Sequence, residues 1–91
     1  MTIIRDRKSA ADPQALALSA LGWVLSDQAR ADRLLALTGL TPDILRTGLS
    51  DPGVLGAVIE FLCGHEADLV AAAEALGVEP QELAAIKGEL G

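Results

Sequence analysis

The 91-residue sequence contains very few aromatic residues, because Trp23 and Phe61 are the only two and tyrosine is absent. Hydrophobic residues nevertheless make up 51% of the chain, so leucine and alanine must fill its interior. Leucine and alanine favour helices, whereas strands are enriched in β-branched and aromatic residues. No stretch alternates apolar with polar residues as a half-buried strand does. The sequence therefore predicts an all-α protein, a compact bundle of five to six short helices.

Cysteine and histidine occur once each, as Cys63 and His65. A lone cysteine excludes an intramolecular disulfide, and one cysteine with one histidine falls short of the four ligands of a structural zinc site. A chain without a disulfide framework is typical of a reducing compartment. We therefore expect a cytoplasmic location.

Long hydrophobic runs are also missing. The apolar stretches 15–25 and 54–64 are each about half the ~20 residues that a membrane-spanning helix requires. Basic residues precede the first stretch, but Asp12-Pro13 lies between them and is better explained as a helix start than as part of a secretion signal. We expect neither a membrane span nor a targeting segment.

Basic residues are outnumbered, since 7 Lys and Arg face 13 Asp and Glu for a formal net charge of −6. Residues 1–11 carry a local charge of +2, whereas residues 51–91 hold eight acidic residues and only Lys87 as a base. A negative surface repels phosphate groups, so the charge disfavours nucleic acid and anionic lipid as partners. The acidic half is typical of a solvated surface that keeps a small apolar domain in solution.

Prolines and glycines divide the chain into helices. Each of the four prolines follows Asp, Thr or Glu and marks a helix start, while Gly39 and Gly77 each mark a helix end. Residues 1–11 are predicted to be a flexible tail and residues 12–91 a single helical domain. These signals predict helices over residues 13–25, 28–38, 42–49, 52–63, 66–76 and 80–90.

The two halves of the chain share a pattern. "ALTGLTPDIL" at residues 36–45 resembles "EALGVEPQEL" at residues 74–83, and "DPQAL" at 12–16 resembles "DPGVL" at 51–55. A duplication of two three-helix units explains the pattern, and the shared chemistry of helix starts and ends also explains it. The sequence leaves both explanations open.

The helices that begin at Pro13 and Pro52 are apolar nearly all round, so we expect them to form the central pair of the bundle. Trp23 and Phe61 are interpreted as core residues on these two helices. The remaining helices are apolar on one side and are expected outside the pair. Two apolar stripes run along the first helix, one formed by Leu18, Leu21 and Leu25 and the other by Leu16, Ala20 and Trp23.

Three glycines lie inside these two helices, at Gly22, Gly53 and Gly56. Each weakens a helix by about 1 kcal/mol relative to alanine. Close contact between helix backbones is one reason to retain them.

The turn at Gly77 has the form of a helix-turn-helix DNA-binding unit, in which a small residue, a turn glycine and three core contacts recur. The helix that would read DNA carries two net negative charges, and such a helix repels phosphate. A structural turn is therefore the favoured interpretation, and a DNA-binding or transcription-associated protein is the alternative. The pattern positions are Ala73, Gly77, Val78, Leu83 and Ile86, and the polar residues are Glu79, Gln81, Glu82, Lys87 and Glu89.

The turn at Gly39 is the other candidate of this kind. Its flanking helices have three arginines but also two aspartates, so no basic cluster forms there. The charged residues are Arg30, Arg33, Arg46, Asp32 and Asp43.

The segment "CGHE" at residues 63–66, with Asp68 beyond it, groups a thiol, an imidazole and two carboxylates. The ligands are too few for a zinc site, and His65, Glu66 and Asp68 are better explained as residues that cap and charge the next helix. His65 is the only base near Cys63, and no glycine-rich phosphate loop follows a strand. We therefore predict no catalytic, cofactor-binding or metal-binding residue and no enzyme activity.

The strings "LALTGLTPDILR" and "DPGVLGAVIEFLCGHEADLVAAAEALGVEP" resemble a family of small bacterial proteins known as domain of unknown function 3572. The resemblance runs from about Leu16 to Leu90. Its most specific parts are Leu37-Thr38-Gly39-Leu40 with Pro42, Leu45 and Arg46, then Asp51-Pro52, Phe61-Leu62 and Glu66. It implies a compact helical domain from a bacterial cytoplasm. It implies no activity, cofactor or catalytic residue.

The expected function is that of a non-enzymatic protein-interaction module. The mean hydropathy of +0.37 is high for a chain this small, and small domains leave much of their surface exposed. Part of that apolar surface is expected to be buried by a protein partner or in a homodimer. No cofactor or small-molecule ligand is indicated.

Overall fold

The computed structural model describes residues 12–90, and the predicted tail at residues 1–11 lies outside that range. Between residues 12 and 90 the chain forms six α-helices and no β-strand, which confirms the all-α prediction. No helix in this range is long and apolar enough to cross a membrane. The helices are α1 (Pro13–Leu25), α2 (Gln28–Thr38), α3 (Pro42–Thr47), α4 (Pro52–Cys63), α5 (Glu66–Leu76) and α6 (Pro80–Leu90).

The helix starts follow the predicted capping chemistry. Proline is the first residue of α1, α3, α4 and α6, where its missing amide hydrogen leaves no hydrogen bond unmade. At α1, α3 and α4 the preceding side chain accepts a hydrogen bond from a free amide of the first turn. Asp12 accepts from the Gln14 amide at 3.1 Å, Thr41 from Ile44 at 3.1 Å and Asp51 from Gly53 at 2.8 Å.

Two of the helix ends are also as predicted. Gly39 and Gly77 follow α2 and α5 with φ angles of 77° and 75°, in the left-handed region that a side chain disfavours. The Gly39 amide donates to the Leu35 carbonyl at 3.0 Å, and the Val78 amide donates to the Ala73 carbonyl at 3.0 Å. These bonds satisfy carbonyls that the helix itself leaves free.

The end of α3 was predicted at residue 49, and this is wrong because the helix stops at Thr47. The Asp51 amide donates to the Gly48 carbonyl at 3.0 Å, which turns the chain toward α4. A Cβ atom at Gly48 would lie 2.7 Å from Val54 Cγ2 and 2.8 Å from the Ile44 carbonyl oxygen. Only glycine allows the chain to pass so close to α4 at this point.

The expected central pair, α1 and α4, packs together, and α6 packs against both. Outside them, α2 covers α1 and α4, while α5 covers α1, α4 and α6. Hydrophobic burial between these helices is the main stabilising contribution. The largest fully buried side chains are Leu21, Val24, Leu34, Leu55, Val58, Ile59, Leu62 and Leu83.

Each of the two apolar stripes of α1 is only partly buried. Leu16, Ala20 and Leu21 are buried, but Leu18 is 40% exposed and Leu25 is 44% exposed. The prediction that all of α1 lies inside the bundle is therefore wrong, because its neighbours leave one side of it uncovered. Of the two aromatic residues, Phe61 is buried in the core and Trp23 is half-buried at its edge.

The glycines inside the helices do not mark close helix contacts within the chain. A Cβ atom built at Gly22 or Gly56 would have no non-local heavy atom within 4 Å, and one at Gly53 would have only Asp51 Oδ1, at 3.3 Å. The interpretation that they permit close approach of helices is wrong for the packing inside one chain.

Candidate functional site

An apolar groove of about 320 Å³ lies where the end of α1, the middle of α2 and the short helix α3 meet. The left-handed turn at Gly39 ends α2, and α3 begins shortly after it at Pro42. Buried Leu45 is one wall of the groove. We call this feature the α3 groove, and its lining residues are Leu25, Leu35, Pro42, Leu45, Arg46 and Leu49.

Leucine side chains at the α3 groove remain in contact with solvent. Leu25 and Leu49 are each 44% exposed, and neighbouring Ile44 is 42% exposed. Single exposed leucines are ordinary, whereas these leucines share one concave surface.

Charge contributes little at this groove. Arg46 forms an ion pair with Asp43, three residues earlier on the same helix, and their side chains are 71% and 84% exposed. An ion pair this exposed contributes at most about 1 kcal/mol, because water screens it. The groove can therefore recognise a ligand mainly through apolar contact.

The corner between α1 and α2 is fixed by Trp23 and Arg30. The Arg30 guanidinium lies 3.7 Å from the centre of the Trp23 ring, a cation–π contact. The same group donates to the Trp23 carbonyl at 2.7 Å and to Ser26 Oγ at 3.0 Å. This arrangement holds the start of α2 against the end of α1.

The residues of "CGHE" do not come together as a site. His65 Nδ1 donates to the Phe61 carbonyl at 2.8 Å, and its ring stacks on Phe61 with centroids 4.8 Å apart. The His65 side chain thus satisfies a carbonyl at the end of α4. It makes no capping hydrogen bond to α5, so the prediction that His65 caps this helix is wrong. Cys63 is exposed. Along residues 12–90, no three His, Cys, Asp or Glu side chains form a group that could hold a metal ion.

The acidic residues at the start of α5 behave as predicted. Glu66 and Asp68 lie in its first turn, where negative charge interacts favourably with the helix dipole. Asp68 also forms an ion pair with Arg33 of α2 at 2.9 Å. Sequence reasoning missed this pairing, since the two residues are far apart in the chain.

A second cleft, of about 450 Å³, lies between the end of α2 and α4. Two of its polar side chains already have partners, because Thr38 Oγ1 donates to the Leu34 carbonyl at 2.6 Å and His65 Nδ1 donates to the Phe61 carbonyl at 2.8 Å. Glu60 is exposed to solvent. A small-molecule site usually presents several polar groups that converge on its ligand. The lining residues are Leu37, Thr38, Ala57, Glu60, Phe61, Gly64 and His65.

The two helix-turn-helix candidates are placed differently in the bundle. α6 packs in the centre through Leu83 and Ile86, and its exposed side carries Gln81, Glu82 and Glu89. α3 has only six residues and spans about 9 Å, which is short for a helix that reads a groove of DNA. Neither arrangement presents a cluster of basic residues.

The family model described as "Protein of unknown function (DUF3572)" matches residues 10–91. The match includes every residue of the α3 groove and the whole of α1. No curated protein and no solved structure matches the chain.

Proposed function

Because the chain belongs to the DUF3572 family, which is described only as proteins of unknown function, we propose its role from its own surface. It acts as a non-enzymatic protein-interaction module. The α3 groove receives an apolar segment of another protein. The observation that carries this proposal is the pair of half-exposed leucines, Leu25 and Leu49, on one concave surface.

The energetics support an apolar ligand. Complete burial of a leucine side chain contributes about 1.5–3 kcal/mol, in proportion to the area removed from water. Since Leu25 and Leu49 are each 44% exposed, covering both contributes on the order of 2 kcal/mol. A bound segment would also cover part of Leu35 and Pro42, which line the same groove.

The reactive side chains support a non-enzymatic role. His65 is held by the Phe61 carbonyl, and Asp68 is paired with Arg33. A nucleophile needs a base within hydrogen-bond reach, and exposed Cys63 makes no such bond to His65, whose Nδ1 is already engaged. The arrangement keeps these groups in structural roles.

Site-specific photo-crosslinking tests the groove in native cells. A photoreactive residue replaces Leu49 in the groove, and the matched control replaces Glu74, which is exposed on α5. We expect covalent adducts with another polypeptide from position 49 and none from position 74. The groove assignment is contradicted by equal adducts at the two positions or by no adduct at position 49.

A further inference from the structure

The exposed side of α1 carries four apolar residues, Ala15, Leu18, Gly22 and Leu25, which we call the α1 stripe. Their spacing is three, four and three residues, which is the spacing of the contact positions in a coiled coil. All four are exposed, with Leu18 at 40% and Leu25 at 44%. The stripe is therefore built like a helix-packing surface, and no helix within residues 12–90 covers it.

We propose that the α1 stripe packs against the same stripe of a second copy of this chain, in an antiparallel homodimer. The two α1 helices cross about a twofold axis, so each copy contributes the same surface. This inference rests on the proposed function in one respect, since both require the chain to bind another polypeptide. The dimer uses the α1 stripe and the partner segment uses the α3 groove, and Leu25 belongs to both surfaces.

The sequence of the stripe fits an antiparallel pairing. When the axis passes beside residue 20, Leu18 of one copy faces Gly22 of the other, and Ala15 faces Leu25. Each layer then combines a large residue with a small one, so that the two surfaces interdigitate without a void or a clash. A parallel pairing would instead place Leu18 on Leu18 and Gly22 on Gly22, with alternating crowding and empty space.

The antiparallel dimer explains why residue 22 is glycine. Glycine inside a helix destabilises it by about 1 kcal/mol relative to alanine, and a Cβ at Gly22 would meet no non-local atom within 4 Å. Nothing in the single chain therefore requires glycine here. In the dimer, the missing side chain makes room for Leu18 of the other copy.

Charge favours a second copy at this face. Two copies that each carry a net charge of −6 repel one another, and the repulsion is least where charged side chains are most distant. α1 has no charged residue in its thirteen positions, and each of the five other helices described has at least one. An uncharged stripe matches an identical uncharged stripe better than it matches a charged surface.

Sedimentation equilibrium of the purified full chain tests the dimer. Four residues per copy bury less than the roughly 800 Å² per partner of a standard interface, so we expect dissociation in the micromolar to millimolar range. A single monomeric species throughout that range would overturn the proposal.

Variants of the stripe test the register. Gly22→Leu places two leucines in one layer, and we expect the overpacking to weaken dimerisation by about tenfold or more. Leu18→Ala leaves a void in the same layer and also weakens it. The double variant Leu18→Ala with Gly22→Leu again pairs small with large, and we expect it to restore most of the affinity.

The melting temperature of the variants is an independent control for correct folding. Gly22→Leu improves helix propensity at a site with open space, so its melting temperature at low concentration should not fall. The antiparallel register is wrong if Gly22→Leu leaves the dimer intact or if the double variant is no better than the single ones. Leu49→Asp, which changes only the α3 groove, should leave the dimer unaffected.

Salt gives a second readout. Raising the ionic strength from about 0.1 to 1 M shortens the screening length from about 10 to 3 Å, which weakens repulsion between two negative copies. We therefore expect dimerisation to strengthen with salt. A contact made through ion pairs would weaken under the same change, and that result would overturn the proposal. If photo-crosslinking at position 49 fails while the dimer persists, only the groove assignment is lost.

Discussion

Two glycines of the fold differ in the space that is available for a side chain. Gly48 lies against α4, where a Cβ would be 2.7 Å from Val54 Cγ2 and 2.8 Å from the Ile44 carbonyl oxygen. Gly56, inside α4, has no non-local atom within 4 Å of its Cβ position. The same substitution should therefore have opposite effects at the two sites.

We predict that Gly48→Ala lowers the free energy of unfolding by about 1–3 kcal/mol, because the new methyl group must displace Val54 and a backbone carbonyl. Gly56→Ala should raise it by about 0.5–1 kcal/mol, since alanine restricts the unfolded chain and suits a helix. Chemical denaturation of the two variants beside the parent measures both changes. Equal effects of the same sign would show that the loop at Gly48 relaxes freely.

The contact of Arg30 with Trp23 could not be predicted from the pattern of residues. The sequence offered it as one of three arginines near a helix-turn-helix candidate, but it lies on Trp23 and hydrogen-bonds to its carbonyl. The two residues are seven positions apart and belong to different helices, so no local pattern joins them. Their contact depends on the angle between α1 and α2, which helix signals do not specify.

At the scale of elements, most helix bounds followed from the sequence. Proline with Asp or Thr before it begins a helix, and glycine in the left-handed region ends one, so both kinds of boundary depend only on neighbouring residues. The end of α3 was wrong by two residues because Gly48 is required by contact with Val54 of the next helix. That contact is tertiary and leaves no local signal.

The helix α3 is short and depends on its cap. Thr41 Oγ1 accepts from the Ile44 amide at 3.1 Å, and its loss should weaken α3 by about 1 kcal/mol. We predict that Thr41→Ala speeds amide hydrogen exchange in α3 about fivefold, while exchange in α4 and α6 stays the same.

Thr41→Ser is the matched control, because it keeps the hydroxyl group that accepts the bond. Mass spectrometry of exchanged peptides from residues 40–50 measures the effect. If exchange in α3 is the same in all three proteins, the cap does not hold this wall of the α3 groove.

There is a physical reason why the exposed face of α1 could not be predicted. A charged residue usually marks the outer side of a helix, and α1 has none. Both of its stripes therefore looked equally suited to the core. Which residues are buried depends on where α4 and α6 pack, and Leu18 and Leu25 are left exposed while Leu21 of the same stripe is buried.

On the scale of the whole molecule, net charge bears on the alternative function. The exposed side of α6 carries Glu82 and Glu89 with Lys87 as its only base, and the chain as a whole is at −6. Protein–DNA affinity comes largely from cations that replace the counterions of phosphate. This surface offers few of them.

We therefore predict no change in the fluorescence anisotropy of labelled duplex DNA when the protein is added at low salt, where phosphate-driven binding is strongest. The matched control is the double variant Glu82→Lys with Glu89→Lys, which reverses the charge of this face and should bind weakly. A rise in anisotropy with the unaltered protein that disappears as salt is added would support the helix-turn-helix alternative.

The sequence predicted a core and an acidic surface but not the α3 groove. Hydrophobic periodicity identifies which residues prefer burial, and Leu25 and Leu49 satisfy it as well as Leu21 does. They stay exposed because α3 is short and lies at the edge of the bundle. Only the assembled bundle shows which apolar residues have no neighbour to cover them.

The lone indole at the corner of α1 and α2 makes the protein its own optical reporter. With no tyrosine in the chain, ultraviolet emission comes from Trp23 almost alone, and that ring sits half-buried beneath a guanidinium, two residues from Leu25. Opening of this corner removes the guanidinium from the ring and exposes the chromophore to water. The integrity of the corner can thus be followed as a colour shift in unlabelled protein.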